Sequence, residues 1–489
     1  MSAVADRRVA AACLLGSFVG TEPPSWLLDA IGDGLGGVLL FAQNIVDDAQ
    51  VLELCDQLRD ARADIVIAID EEGGDVTRLD AARGSDTPSP AAFGFVDDPS
   101  LTKDAYEDLG RRVRSLGIDL TLAPCADINS NPRNPIIGVR SFGTTPHGVS
   151  RHVVAAVEGF HRGGVSVSAK HFPGHGDTSA DTHLEPARLS ATMAALTQRE
   201  LMPFAAAIEA GADAILTAHL VADAADSAPV SLSASWTEHL RGAMEFGGVI
   251  ITDALDMRAV AEGRGIVGVA DAAVRVLRAG ADLLCLGSNF DHSMTTTVID
   301  QIVGALDGGQ LHRASLVSSR ERIIGLRRPP ASPEAQSTGA AQLVAKRAIV
   351  IDGPLPAGPF AVIECRPQAS MACFNVAWGI ADELGELGWP IALLTESDPI
   401  EPTCDALLEQ AGELPVLVVV RDACVHQWQI AVIDAVVRVR PNAVVVEFGW
   451  PNVQRPGSAA SVVTHGAARS SAQAVIDRLV ALSPAVRES

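Results

Sequence analysis

A chain of 489 residues exceeds what one hydrophobic core usually organises, so two domains are expected, the larger able to reach barrel size. Its net charge of −23 disfavours nucleic acid and anionic membrane as partners, because the average field of the surface repels both; small soluble substrates fit better. The eight cysteines include no C-x-x-C pair and several sit in or beside apolar runs, which reads as buried, reduced thiols of a cytoplasmic protein.

Arg7 and Arg8 precede an apolar stretch, but Ala10 to Val19 is short, lacks a small-residue cleavage motif and leads into patterned sequence, so no signal peptide is expected. No apolar run approaches the ~20 residues of a membrane helix. Apolar runs mostly without polar alternation, as in parallel strands buried on both faces, occur at 10–19, 37–42, 64–69, 119–124, 165–169, 214–217, 249–252 and 282–286. Helical spacing fills the intervals at 49–61, 101–116, 149–162, 196–210, 237–246 and 270–279. Gly117, Gly163, Gly211, Gly247 and Gly280 follow such segments and suit left-handed helix C-caps before the next strand.

Repeated strand and helix units predict a closed (β/α)8 TIM barrel. A doubly wound sheet would want a phosphate loop after the first strand, and Gly16-Ser17-Phe18-Val19-Gly20 is too loose for one. Beyond a helix at 316–326, the proline-rich stretch from Arg327 to Pro333 reads as a linker. The expected organisation is therefore a barrel over 1–328, a linker over 329–340 and a smaller α/β sandwich domain over 341–489. Strands of that second domain are expected at 348–351, 361–364, 391–394, 416–420 and 443–447.

In a barrel, polar residues just past the carboxyl ends of strands converge on one mouth. Strand three runs into Asp70 and Glu72, strand four into Asp127, strand five into Lys170 and His171, strand six into His219, and strand seven into Asp253. Any one of these is readily an ordinary loop polar group; the coincidence across five strands points to a site.

The densest segment, Lys170-His171-Phe172-Pro173-Gly174-His175-Gly176-Asp177, continues to Asp181-Thr182-His183, and its proline and glycines predict an irregular loop after strand five. A zinc site using His171, His175 and His183 needs a helix to bring an i, i+4 pair onto one face, so no metal is expected. A class I aldolase would use Lys170 as its Schiff-base amine. A glycosidase would use Asp253 as carboxylate nucleophile and His183 as proton donor, with Asp181 holding one imidazole nitrogen. A non-catalytic sugar-binding protein is the alternative from a different class.

The same residues resemble the family 3 glycoside hydrolases, in particular the β-N-acetylglucosaminidase (β-N-acetylhexosaminidase) branch. The matching stretches are Gly36-Gly37-Val38-Leu39-Leu40-Phe41, Asp70-Glu71-Glu72-Gly73-Gly74, Ala123-Pro124-Cys125-Ala126-Asp127, Arg140-Ser141-Phe142-Gly143, the loop from Lys170 to Gly176, Thr217-Ala218-His219 and Ile251-Thr252-Asp253-Ala254-Leu255-Asp256-Met257. The resemblance implies Asp253 as nucleophile, His183 as acid/base and Asp181 as its partner. It implies Asp70, Arg78, Arg140, Lys170 and His171 as ligands of the sugar hydroxyls, with His219 and Met257 lining the pocket.

Glu71, Asp75 and Thr182 depart from the usual pattern, the first two expected to add negative charge near the mouth. The implied reaction is a retaining double displacement without a cofactor. Because a histidine acid/base is neutral once it has given up its proton, inorganic phosphate is a conceivable acceptor beside water. Six tryptophans and one tyrosine, away from the barrel strand ends, argue against a polymer platform and for a pocket taking one terminal sugar from a short saccharide. The second domain is expected to have a structural, capping or dimer-forming role in a monomer or homodimer.

Overall fold

The computed structural model describes residues 3–178, 187–288, 290–329, 336–368, 370, 373, 375–451 and 460–482. They fall into two compact units: Met1–Glu72, Thr102–Ser130 and Thr144–Thr338 in the first, and Gly73–Leu101, Asn131–Gly143 and Gly339–Ser489 in the second. Among the described residues, no helix is long and apolar enough to cross a membrane. All eight cysteines are free thiols, and only Cys424 is not buried.

In the first unit, eight parallel strands close into a barrel: β1 Leu14–Gly16, β2 Gly37–Leu40, β3 Val66–Ile69, β4 Leu120–Thr121, β5 Ser166–Phe172, β6 Ala214–Thr217, β7 Val249–Thr252 and β8 Leu283–Cys285. Neighbours in sequence are neighbours in the barrel, and β8 pairs with β1 to close it. Leu15, Leu39, Val66, Ala68, Leu120, Leu216, Ile251 and Leu283 fill the interior, and Ile323 and Leu326 join them from the chain that follows the last strand. The interior is thus packed side chain against side chain, as a small barrel requires.

Outer helices bury one stripe each. Asp48–Ala61 buries Val51, Leu54, Cys55 and Leu58 at helical spacing, and the Asp47 carboxylate caps its first turn by accepting from the Gln50 N–H. The left-handed glycine expected after each helix is present at Gly117, Gly211 and Gly280, with φ of 86, 89 and 102°. Gly163 instead ends its helix at φ −70° and the next residue, Gly164, turns left-handed. Near Gly247 it is Glu245 that takes the positive φ, following a π-helical turn, His239–Ala243.

Two further expectations give way. The run at 10–19 is not all strand: its first residues finish a helix, Ala3–Ala11, and the strand is confined to Leu14–Gly16. Strand β5 continues through Lys170 and His171 to Phe172, so this pair lies on the strand rather than on the loop after it. Lys170 is held there by backbone bonds on both sides, its N–H donating to Pro124 O at 3.1 Å and its carbonyl accepting from Ala126 N at 2.6 Å.

In the second unit, six strands form one sheet: β9 Val350–Asp352, β10 Ala361–Cys365, β11 Ile391–Leu394, β12 Val416–Val420, β13 Val444–Glu447 and β14 Ala460–Val463, in the order β9-β14-β13-β12-β10-β11. All pairings are parallel except β9 with β14. Alternate residues of the parallel strands feed two cores, Val362, Leu417, Val419, Val444 and Val446 on one face and Ile363, Val416, Val418, Val420 and Val445 on the other. Helices cover both faces, which explains the unbroken apolarity of these strands.

Candidate active site

At the carboxyl end of β3, Asp70 and Glu72 meet Lys170 of β5. The Lys170 ammonium lies 2.5 Å from Asp70 Oδ1 and 2.6 Å from Glu72 Oε1. Lys170 and Glu72 are buried, whereas Asp70 is half-buried. The buried lysine makes charge-assisted hydrogen bonds to both carboxylates, which fixes the direction of the half-buried Asp70 carboxylate.

At the carboxyl end of β4, the buried Asp127 organises the next segment. Its Oδ2 lies 2.6 Å from His171 Nδ1, and its Oδ1 accepts from the His175 N–H at 2.6 Å. Burial alone would raise the Asp127 carboxyl, but the charge and hydrogen bond of His171, followed by those of His175, outweigh it and hold it below the usual carboxylate range. The His171 ring is thereby held with Nδ1 toward Asp127. Burial pushes the His175 imidazole down to about 4, against the opposing pull of Asp127, so this ring is neutral at neutral pH.

Asp253 follows β7 directly. Its N–H donates to Thr217 O of β6 at 3.0 Å, and its Oδ1 accepts from the Ala254 N–H at 2.8 Å. The neighbouring turn is braced from β6: His219 Nε2 lies 3.0 Å from Ala254 O, and its Nδ1 lies 2.7 Å from the Ser231 hydroxyl. Met257 is buried, with its N–H on Ala254 O at 3.2 Å. Burial, then the charges of Asp253, Asp256 and Asp70, push the Cys285 thiol at the end of β8 far up. Asp253 also acts on His175. The carboxylates that follow β3 and β7 thus act on one thiol, and Asp253 also on the imidazole that follows β5, which puts these groups in one electrostatic neighbourhood.

Asp70, Lys170 and His171 thus stand at the same barrel end as Asp253, His219 and Met257. Arg78 and Arg140 are carried by two chain segments of the second unit, both buried, with Arg140 ending the short helix Gly138–Arg140 and donating to Ile136 O at 3.2 Å. Asp181, Thr182 and His183 lie outside the described residues.

The negative charge expected from Glu71 and Asp75 takes a different form. Glu71 is fully buried, and Asp75 is paired within the second unit, its Oδ2 2.7 Å from Arg421 and its Oδ1 accepting from the Ala467 N–H at 2.9 Å. A neutralised, buried Asp75 adds no free charge to a mouth. Glu72 and Asp127 were visible as strand-end polar residues, but their partners lie on nearby strands 98 and 44 residues away in sequence, and no spacing rule links them.

Comparison with known proteins bears on this arrangement. A β-hexosaminidase of Xylella fastidiosa (strain M23) is 37% identical over 276 residues, which is 55% of this chain and 80% of the relative. A β-hexosaminidase A of Pseudoalteromonas piscicida is 33% identical over 321 residues, 60% of this chain and 53% of the relative, so the chain spans about half of that protein. A solved glycoside hydrolase family 3 β-N-acetylglucosaminidase from Paenibacillus sp. str. FPU-7 matches 97% of this chain and 96% of its own, with a TM-score of 0.83 and 28% identity. The sequence profile of the glycosyl hydrolase family 3 N terminal domain covers residues 24–326, which takes in barrel strands β2 to β8 with their acidic ends, and the chain belongs to that family.

Proposed function

We propose that the protein is a retaining, exo-acting β-N-acetylglucosaminidase that removes one terminal sugar from short saccharides such as chitooligosaccharides or cell-wall fragments. The observation that carries this reading is the half-buried Asp253 at the end of β7, in the same electrostatic neighbourhood as Asp70, which is itself tethered to Lys170. The names of the β-hexosaminidase and β-N-acetylglucosaminidase relatives supply the sugar.

In this mechanism Asp253 attacks the anomeric carbon while His183, oriented by Asp181, protonates the departing glycosidic oxygen. The resulting glycosyl ester on Asp253 is then resolved by water that His183 deprotonates. Asp70, Lys170 and His171 bind sugar hydroxyls, joined by Arg78 and Arg140, and Met257 lines the pocket. His219, both of whose nitrogens meet protein partners, positions Asp253 through Ala254. Inorganic phosphate is the competing acceptor, since a neutral histidine repels an anion less than a carboxylate does. The eight free thiols favour a cytoplasmic setting, and the protein acts as a monomer or homodimer.

The aldolase reading is weakened by Lys170 itself. Its nitrogen lies between two carboxylates as an ion-paired ammonium, whereas a Schiff base needs the free amine. Release of nitrophenol from the β-N-acetylglucosaminide and the β-glucoside, with and without phosphate, tests the proposal. Preferred turnover of the N-acetylglucosaminide, abolished by Asp253→Ala, is expected. Sugar 1-phosphate as product makes the enzyme a phosphorylase, and no release from either substrate favours a sugar-binding protein.

A further inference from the structure

At the end of β4, Cys125 and Asp127 face His171 of β5, and all three are buried. Cys125 Sγ lies 3.2 Å and His171 Nδ1 2.6 Å from the same oxygen, Asp127 Oδ2. The three donor atoms lie within 4.8 Å of one another. One carboxylate oxygen shared by a thiol and an imidazole is a soft–borderline donor set of the kind that holds a divalent metal. We propose that Cys125, Asp127 and His171 form a binding site for a thiophilic divalent cation, with zinc the expected ion, and that occupation of this site inhibits turnover.

Two of the three donor pairs already lie near bonding separation, and the third, Cys125 to His171, closes from within 4.8 Å. Zinc bonds of about 2.3 Å to sulfur and 2.0–2.1 Å to nitrogen or oxygen place tetrahedral ligands roughly 3.3–3.6 Å apart. The Cys125–Asp127 pair opens by a few tenths of an ångström and the Asp127–His171 pair by less than one, on the scale of that estimate. The charge balance is also favourable. Zinc displaces the thiol proton to solvent and His171 binds through Nδ1 with its single remaining proton on Nε2, so the dication meets one thiolate, one carboxylate and one neutral imidazole. The ion and its three ligands together then carry no net charge. The fourth position falls to water or to an anion.

Binding would replace the Asp127–His171 hydrogen bond that sets the orientation of the His171 ring, a proposed sugar ligand. Inhibition therefore rests on the hydrolase reading above, whereas metal binding does not. The other buried thiols belong to no comparable donor cluster among the described residues.

The test uses the full chain, freed of metal and titrated with cobalt(II), following the thiolate-to-cobalt charge-transfer absorption. One equivalent bound, displaced by zinc and lost in Cys125→Ala, is the expected result. Cys125→Val, closer in volume, serves as a second variant should the alanine protein melt early. Both variants should retain turnover of the nitrophenyl glycoside while needing at least ~10-fold more zinc for half-inhibition, and chelator should restore the wild type. Absence of the band, or an identical band in both variants, overturns the site. A cobalt band with no turnover of any glycoside upholds the site and overturns the hydrolase reading instead.

Discussion

Asp127 is a positioning residue whose consequences can be separated from those of Asp253. It touches no reacting atom in the proposed mechanism but fixes the ring of His171 and the backbone of His175. A hydrogen bond to a charged group contributes about 1.5–3 kcal/mol, which corresponds to roughly 10- to 100-fold in kcat/KM if it is realised at the transition state. Asp127→Asn should therefore lower kcat/KM by that factor while the thermal melt shows a folded protein. If His171 serves substrate binding, the loss should appear mainly in KM. A loss confined to kcat would move His171 from sugar binding to the chemistry.

His175 gives a second prediction at this scale. Its folded value, about 4, lies below the ordinary 6.5, so between those values the unfolded chain takes up a proton that the folded protein refuses. Stability should fall as pH drops from about 6.5 toward 4, by up to ~3 kcal/mol from this group. Asp127 acts in the same direction lower down, since its depressed carboxyl stabilises the fold above the ordinary carboxylate range and loses that contribution as pH falls through it. Urea denaturation at pH 7 and pH 4.5 checks this: His175→Gln should lose less stability over the interval than the wild type. An equal loss would assign the acid sensitivity to other groups. None of this was legible in sequence, where His175 stood out only as a possible partner of His171. Its ring is neutral because of burial, and burial of a loop residue follows from packing rather than from local pattern.

At the scale of elements, one device recurs at the amino end of the barrel. Asp119, Asp213 and Asp282 stand at or just before the starts of β4, β6 and β8, and each carboxylate accepts the N–H of a residue in the preceding strand region, Ile67, Val167 and Ile250. Each also pairs with arginine: Asp119 with Arg59 and Arg114, Asp213 with Arg328, and Asp282 with Arg241 and Arg322. These are struts of the face opposite the site, where charged residues serve stability. Removing one member of a buried ion network costs about 3–5 kcal/mol because the remaining charges lose their partner. Asp282→Ala should destabilise by about that amount, with KM of the surviving enzyme unchanged. A shifted KM would show that the struts reach the carboxyl end.

The barrel strands themselves were readable because burial on both faces leaves continuous apolar runs. Strand β14 was not, since Ala460–Val463 is four residues long, half of them small, and sits among serine, alanine and glycine. Lys170 and His171 read as loop for a similar reason: two polar residues before a proline mimic a strand end, although the strand continues to Phe172.

For the whole molecule, the composition of the second unit is the decisive feature. It takes in Gly73–Leu101 and Asn131–Gly143 from the first half of the chain together with everything from Gly339. Its internal bonds join these pieces: Asp75 to Arg421 and Ala467, Asp86 to Arg469, and Ala377 N–H to Ala81 O. The sequence could suggest a second sheet but not this assembly, because Asp75 and Arg421 are separated by 346 residues. Arg78 and Arg140, proposed to bind the sugar, lie within the two early segments. A chain ending at Thr338 keeps every strand of the barrel and Asp253, yet deprives Asp75 of Arg421 and the Ala467 N–H and leaves both segments without their partners. Without those bonds and the packing around them, the segments should not hold their folded form. The truncated protein should retain the far-UV circular dichroism of a barrel, suffer rapid proteolysis within 73–101 and lose turnover by orders of magnitude. Wild-type turnover from this fragment would mean that the second unit contributes nothing to the placement of Arg78 and Arg140, and that the barrel alone completes the sugar site.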